Sequence, residues 1–296
     1  MIRRFLLAPL FIVFCASLHA QNDGGLMTVN VSGLVAPSDS TQNVNPVKLF
    51  LKGHELPVST VTDFSQMPLH VVFVLDNGRH QERLMPLAMD YVAKIAASIH
   101  VSQPNYTVLA ATKLPSILLE TSDASELSSA LGNVKPPEGT AKVDSADLYA
   151  AMTEAVNILK SMLGVRVVVL LSDDDDNING KLLQDLKVQM ASTHTRCYSI
   201  LLAQHDFFGT RARSASGRRL NSLANFSGGA QYETNWQNRQ SDPSVLRIVA
   251  ERISHGSIVT FTLPADLKVK PGIYTLQAQS LGTTRMIRTS PFVLPH

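Results

Sequence analysis

The middle of the chain alternates between two hydrophobic patterns. Short, continuous apolar runs are typical of strands that are buried on both faces of a parallel sheet, and longer segments carry apolar residues at helical spacing. The predicted strands are 70–75, 106–111, 117–120, 165–171 and 197–203, and the predicted helices are 84–99, 122–131, 148–163, 182–190, 217–226 and 243–253. This alternation predicts an α/β fold with a doubly wound, mostly parallel sheet. The short link at 113–115 adds one antiparallel edge strand, because it leaves room only for a hairpin.

Several residues mark where the predicted helices begin and end. Ser122 is the expected N-cap of the second helix, and Pro86 is expected near the start of the first, where a proline costs least. Asp242 and Pro243 form an N-cap followed by proline at the first helical position. The pair Gly228–Gly229 is expected to end the fifth helix.

The two ends of the chain follow a period of two residues and predict β-rich extensions. Strands are predicted at 27–31, 47–51 and 55–58 before the α/β region, and at 257–263, 273–279 and 285–293 after it. The C-terminal strands are expected either to pack on the central sheet or to form a small sandwich with the N-terminal segment. The predicted organisation is a signal peptide (1–20), an N-terminal β-rich segment (21–65), an α/β domain (66–255) and a C-terminal β-rich segment (256–296).

The first twenty residues have the features of a secretory signal peptide. Arg3 and Arg4 precede an apolar run at 5–14, which is too short to span a bilayer, and Ala20 ends a suitable cleavage site. We therefore expect a secreted or periplasmic protein with no later membrane span. Removal of the two arginines lowers the formal net charge from +2 to about zero, which disfavours a nucleic-acid partner. Cys197 is then the remaining cysteine, and its apolar surroundings indicate a core residue.

Polar residues follow the predicted strands and helix starts where a ligand site is expected. In an open α/β sheet, ligands bind at the carboxyl ends of the strands, beside the point where the strand order reverses. Asp76 ends the first buried strand, Thr140 precedes a helix, and Asp173 follows the most apolar strand. Their convergence would offer carboxylate and hydroxyl oxygens to a hard divalent cation such as Mg²⁺ or Ca²⁺.

These residues carry a resemblance to the von Willebrand factor type A (VWA) family. The run 71–76 resembles that family's first strand and metal loop, Gly139-Thr140 its second metal loop, and 167–173 its third. The sequence 220–229 is similar to the family's late helix and glycine turn. With its β-rich ends, the chain resembles the acidobacterial type of secreted VWA-related proteins. The resemblance implies a non-enzymatic binding module whose metal-ion-dependent adhesion site would use Asp76, Thr140 and Asp173.

The first metal loop departs from the family pattern Asp-x-Ser-x-Ser. Gly78 and His80 occupy the two serine positions, so one oxygen ligand is absent and the other is replaced by a nitrogen. Arg79 adds a positive charge next to the expected cation. We therefore expect a degenerate site that binds a divalent cation weakly or not at all. Arg79 and His80 become candidate ligand-binding residues, with Arg79 meeting an acidic group of a protein or glycan partner directly.

Two other functions remain open from the residues alone. A phosphatase of the haloacid dehalogenase type also places an aspartate after its first strand and an acidic pair after a later one, but it needs a second aspartate where this chain has Gly78. The other alternative is a scaffold that binds through its β-rich tail. Further candidate surfaces are the pair Phe207–Phe208, the aromatic residues Tyr232 and Trp236, and a basic loop with its arginines at 211, 213, 218 and 219.

Overall fold

The computed structural model of the chain describes residues 26–32, 47–76, 81–112, 114–133, 147–172, 180–203, 215–235, 240–280 and 286–294. The helices are α1 (Gln81–Ala97), α2 (Ala124–Leu131), α3 (Leu148–Lys160), α4 (Gly180–Thr193), α5 (Ala215–Phe226) and α6 (Pro243–Ser254). The strands of the α/β region are β5 (Leu69–Asp76), β6 (Pro104–Ala111), β7 (Ser116–Thr121), β8 (Val165–Ser172), β9 (Arg196–Ala203) and β10 (Ala230–Asn235). The remaining strands are β1 (Leu26–Ser32), β2 (Val47–Leu51), β3 (His54–Leu56), β4 (Val58–Asp63), β11 (Gly256–Thr262), β12 (Gly272–Tyr274), β13 (Gln277–Ser280), β14 (Met286–Arg288) and β15 (Phe292–Leu294).

The central sheet has six strands in the spatial order β7-β6-β5-β8-β9-β10. Neighbouring strands are parallel except for β7, which is antiparallel to β6 at one edge. Counted in chain order, the strands run 3-2-1-4-5-6 across the sheet, which is the order of the doubly wound fold. The predicted fold class, including its antiparallel edge strand, is confirmed.

Helices cover both faces of this sheet because its central strands are apolar on both sides. One hydrophobic core contains buried residues of α1, α2 and α6, with Phe73 and Val169 from the strands. The other contains buried residues of α3, α4 and α5, with Val72 and Leu170. We call the second face the α3 face. Adjacent residues of a strand therefore pack in different cores, because side chains alternate in direction along a strand.

Some predicted helix boundaries are wrong. Asp123, rather than Ser122, caps α2, because its side chain accepts a hydrogen bond from the Ser125 amide. Pro86 lies inside α1 and not near its start, since the helix already begins at Gln81. Helix α3 ends at Lys160, and Leu163 is exposed in the loop that follows.

The other helix signals agree with the structure. Asp242 caps α6 and Pro243 takes the first turn, where a missing amide hydrogen costs little. Helix α5 ends at Phe226, and Gly228 follows with a positive φ of 87° that favours glycine.

The strands from the two ends of the chain form a shared β-module, which comprises β1–β4 and β11–β15. Strand β11 lies between β1 and β4, and β13 lies between β14 and β2, so each of these two sheets contains strands from both ends of the chain. Val31, Leu49, Phe261 and Phe292 belong to one buried cluster that joins these sheets. Of the two arrangements open from the sequence, the C-terminal strands thus pair with the N-terminal segment. The predicted strands 273–279 and 285–293 are each broken into two, and β4 extends past the predicted end at Val58.

Two contacts fix strand β1 and the residue that follows β4, Phe64, to the α/β region. The Arg196 guanidinium stacks on the Phe64 ring with 4.4 Å between its central carbon and the ring centroid. It also donates to the carbonyl oxygens of Arg252 and Ile253 at the end of α6. In addition, the Asn30 side-chain amide of β1 donates to the His194 carbonyl at 2.9 Å.

Among the described helices, none combines the length and the apolar composition that crossing a bilayer requires.

Candidate functional site

The switch point of the central sheet lies between β5 and β8. These two strands are parallel neighbours, and helices leave them toward opposite faces of the sheet. Asp76 is the last residue of β5 and Ser172 is the last residue of β8, so both lie at the carboxyl edge. We call this edge of the sheet the rim. The rim is the position at which ligands bind in open α/β sheets.

Asp76 and Ser172 are in direct contact across the switch point. The Ser172 hydroxyl donates a hydrogen bond to Asp76 Oδ2 at 2.7 Å, between residues that are 96 positions apart in the chain. Only 9% of Asp76 is exposed. A carboxylate at this depth needs polar partners because burial disfavours its charged form, and the hydroxyl of the neighbouring strand is one of them. The structure thus places one predicted site residue at the rim, with its carboxylate held by a side chain from the adjacent strand.

The other four predicted site residues lie outside the described residues. They are Arg79, His80, Thr140 and Asp173. Asp173 directly follows Ser172, the last residue of β8, along the chain. The convergence of Asp76, Thr140 and Asp173 therefore stays a prediction.

Ser172 is a site residue that the sequence analysis missed. The sequence places it in the segment that leads to Asp173 and predicts no role for its hydroxyl. The available signal was its place as the first polar residue after the buried run 167–171. Its contact with Asp76 depends on the pairing of β5 with β8, in which Leu75 lies beside Leu171.

The described part of the rim supplies too few ligands to define a metal site. No group of three or more histidine, cysteine, aspartate or glutamate side chains within reach of one ion occurs among the described residues. Asp76 and Ser172 together offer two side-chain groups, whereas Mg²⁺ requires near-octahedral oxygen coordination. Further ligands would have to come from water, from the loops that follow β5 and β8, or from the loop before α3.

The structure shows how far several other candidate residues from the sequence are buried. Cys197 is buried in β9, and burial raises the pKa of its thiol to about 12. Its burial makes it a core residue, as predicted. A thiol that is protonated and inaccessible is also a poor nucleophile. Tyr232 packs against the α1 side of the sheet, and burial raises the pKa of its phenol to about 12. Arg218 is exposed on α5. Arg219, the next residue of α5, is half-buried. The pair Phe207–Phe208, Trp236 and the arginines Arg211 and Arg213 lie outside the described residues.

Comparison with known proteins gives matches in structure only. No protein-family model matches the chain, and no curated protein matches its sequence. The structure is similar to the conserved hypothetical protein BatB from Bacteroides thetaiotaomicron, with a TM-score of 0.49 and 12% identity, covering 63% of this chain and 97% of that chain. It is similar to a von Willebrand factor type A structure from Catenulispora acidiphila, with a TM-score of 0.46 and 10% identity, covering 83% of this chain and 75% of that one.

A third similar structure is the manganese-loaded TRAP protein from Plasmodium vivax. Its TM-score is 0.46 at 10% identity, and the match covers 78% of this chain and 95% of that chain. In the present chain, the order and direction of the six central strands are those of the doubly wound fold that the sequence predicted.

Proposed function

We propose that the chain is an exported VWA-type binding module that recognises a protein or glycan partner at its rim. The observation that carries this proposal is the Asp76–Ser172 contact at the switch point. A buried carboxylate that is fixed by the adjacent strand makes a rigid base for the loops that follow β5 and β8. Rigid strands that present variable loops are a common arrangement for recognition surfaces.

The chemistry of the described residues supports binding rather than catalysis. At the rim, the Ser172 hydroxyl donates to the buried Asp76 carboxylate, a contact that joins the ends of two neighbouring strands. The Cys197 thiol is buried in the sheet and is held protonated. We therefore propose a non-enzymatic role for the chain.

The proposed metal site is degenerate. In the loop after β5, Gly78 and His80 take the places of the two serine ligands of the related family. Asp76, Thr140 and Asp173 would then hold a divalent cation weakly, with water filling the remaining positions. We expect titration calorimetry of the purified protein with MgCl₂ to show no stoichiometric, tight uptake. Tight uptake that is lost in Asp76→Asn would contradict the degenerate site and leave the binding role in place.

Arg79 is proposed to replace the metal as the group that meets an acidic partner. A guanidinium forms two parallel hydrogen bonds with a carboxylate, and such charge-assisted bonds are stronger than neutral ones. We expect Arg79→Ala to reduce recovery of partners in affinity capture from the native envelope or medium by about tenfold, since a lost charged contact costs roughly 1.5–3 kcal/mol. Arg288→Ala is the matched control, because Arg288 is an exposed arginine on β14 in the β-module. Equal recovery with Arg79→Ala and Arg288→Ala would refute the role of Arg79.

Export is proposed from the features of residues 1–20 and predicts a processed N-terminus. Protein isolated from the native envelope or medium is expected to begin near Gln21 when its N-terminus is determined by mass spectrometry. Recovery of the chain with residues 1–20 intact would contradict cleavage at Ala20.

A further inference from the structure

His194 connects the end of α4 to two segments of the β-module. Its backbone carbonyl accepts a hydrogen bond from the Asn30 side-chain amide of β1 at 2.9 Å. Its imidazole bonds to the Pro291 backbone, in the link between β14 and β15. We call this link, residues 289–291, the bridge segment. His194 thus holds parts of the β-module that come from both ends of the chain.

The bridge segment lies between β1 and the α/β region. The Ser290 amide donates to the Asn30 carbonyl at 2.8 Å, and the Ser290 hydroxyl accepts from the Asn30 amide at 2.9 Å. A Cβ on Gly228 would lie 3.1 Å from the Ser290 Cα, so the turn after α5 packs closely on the same residue. Thr289 and Ser290 are both buried. The imidazole of His194 therefore contacts a segment that is enclosed on two sides.

The hydrogen bonds of the imidazole define which nitrogen is open to protonation. Pro291 has no amide hydrogen and offers only its carbonyl, so the ring donates to it. Nδ1 is buried and has no hydrogen-bond partner among the described residues, which leaves Nε2 as the donor. A second proton would have to bind at Nδ1, where the described surroundings provide no acceptor. A buried donor without an acceptor is unfavourable.

A positive charge lies next to this imidazole. The Arg166 guanidinium of β8 donates to the carbonyl of Thr193, the residue before His194. Burial is the largest cause that lowers the pKa of the imidazole, and the Arg166 charge acts in the same direction. Protonation would therefore place two positive charges close together in a partly buried position.

The other described elements around His194 bring no acidic group to it. Strand β1, the bridge segment, β15 and the turn 227–229 contain no charged residue. The last charged residue of α4 is Lys187, which bonds to the Ser222 hydroxyl. Arg196 of β9 lies on the α1 side of the sheet, where it stacks on Phe64. The described surroundings of the imidazole thus oppose its charged form.

We propose that His194 is an acid-sensitive latch, which releases the bridge segment from the α/β region when the imidazole is protonated, while the central sheet stays folded. In the open state the imidazole reaches water and moves away from Arg166, so it binds a proton more readily than in the closed state. Opening is therefore favoured as pH falls below about 6.5, the ordinary histidine pKa. Opening also removes Ser290 from the outer edge of β1 and leaves the Asn30 backbone without this partner.

The first test follows hydrogen exchange of the wild-type chain at about pH 7 and about pH 5, with rates converted to protection factors because intrinsic exchange depends on pH. We expect the protection of the Ser290 and Asn30 amides to fall several-fold, by up to about twentyfold for one histidine that titrates with its ordinary pKa in the open state. The amides of β5 and β8 should keep their protection, because the opening is local. Unchanged protection of Ser290, or an equal loss in β5 and β8, would overturn the proposal.

The second test asks whether His194 is the group that responds to acid. Asparagine tolerates a positive φ and does not titrate in this range, so His194→Asn should protect Ser290 equally at both pH values. His70→Asn is the matched control, because burial also lowers the pKa of His70 and Arg166 acts on it, but its ring bonds to the Leu163 backbone. This control should lose protection as the wild type does. A response that persists in His194→Asn, or that disappears in His70→Asn, would reject the latch. If His194→Asn does not fold, the wild-type measurement decides alone.

Discussion

At the scale of single residues, the contact between Asp76 and Ser172 determines what the rim offers to a ligand. The serine hydroxyl donates to a carboxylate that is 9% exposed. Removing a donor from a buried acceptor leaves part of its desolvation uncompensated and typically costs about 1–3 kcal/mol. Ser172→Ala is therefore expected to lower the free energy of unfolding by that amount in urea titration. Ser192→Ala is the control, because Ser192 is exposed on α4 and bonds to the Gln189 carbonyl of its own helix. An equal loss in both variants would show that the rim contact has no special role.

His194 is the residue at which stability should depend on pH. It lies between α4 and β9 with a positive φ of 52°. Burial lowers the pKa of its imidazole, the Arg166 charge lowers it further, and a hydrogen bond with the Pro291 backbone opposes the shift. Because proline has only a carbonyl to offer, the ring must be the donor. Among the described residues its Nδ1 has no hydrogen-bond partner. The folded protein thus holds a neutral histidine at the contact with the β-module.

The sign of the pH effect follows from this lowered pKa. The unfolded chain binds the proton more readily than the folded one, so stability decreases as pH falls below about 6.5, the ordinary histidine pKa. The carboxyl of Asp242 affects stability only at lower pH, because its hydrogen bonds from Ser244 lower its pKa below 3.8. We expect His194→Asn to flatten the decrease between about pH 6.5 and 5 in thermal melts, since asparagine tolerates a positive φ and does not titrate there. An unchanged slope in this variant would assign the decrease to other groups, such as His70, whose pKa is also lowered by burial.

At the scale of secondary structure, the sequence predicted the strands whose burial is complete. Strands β5 and β8 have long apolar runs, which reflects their position between two layers of helices. Strand β10 was missed because an edge strand needs few apolar residues, and its sequence Ala-Gln-Tyr-Glu-Thr-Asn has no clear period. The C-terminal strands were predicted too long, because alternation continues through a break at Leu276, whose backbone amide bonds to the Thr289 hydroxyl.

The site was less predictable than the fold for a related reason. Asp76 was identified because it ends a buried strand, and this signal lies within eight consecutive residues. The contact of Asp76 with Ser172 depends on the register between strands that are far apart in the chain. Local patterns identify which residues reach the rim, but they do not specify which of them touch.

The glycine pair after α5 provides a test at this scale. A Cβ on Gly229 would lie 1.8 Å from the Cys197 carbonyl oxygen, which belongs to the backbone of the neighbouring strand β9. Gly229→Ala is therefore expected to lower the free energy of unfolding by at least about 2 kcal/mol, the range of overpacking and backbone strain. Gly180→Ala should have the opposite sign, because Gly180 begins α4 and nothing lies within 4 Å of its Cβ position. Urea titration of both variants measures the two changes in unfolding free energy. Tolerance of alanine at Gly229 would contradict the close approach of the turn after α5 to β9.

At the scale of the whole molecule, strands from the N-terminal and C-terminal segments pair with each other in the β-module, which contacts the α/β region. Deleting residues 257–296 would remove nearly all of β11, the strand between β1 and β4. It would also remove β13, the partner of β2. Such a truncation therefore does not separate a tail function from the folding of the module. Point substitutions in the shared core are the cleaner way to ask what the β-module contributes.

We expect the β-module and the α/β region to unfold as one cooperative unit. Two contacts support this expectation: Phe64, the residue that follows β4, packs in the α1-side core and against the fully buried Arg196, and Asn30 of β1 bonds to the His194 carbonyl. Phe261 is buried in β11 and meets Phe292 edge to face at 5.4 Å. Phe261→Ala should cost about 3–5 kcal/mol. A cooperative molecule loses the hydrogen-exchange protection of the β5 and β8 amides at the same urea concentration as that of the β11 amides in this variant, because its two parts share one transition. Protection of β5 and β8 that stays at the wild-type level while the β11 amides exchange would show that the contacts around Arg196 and Asn30 do not couple the two parts.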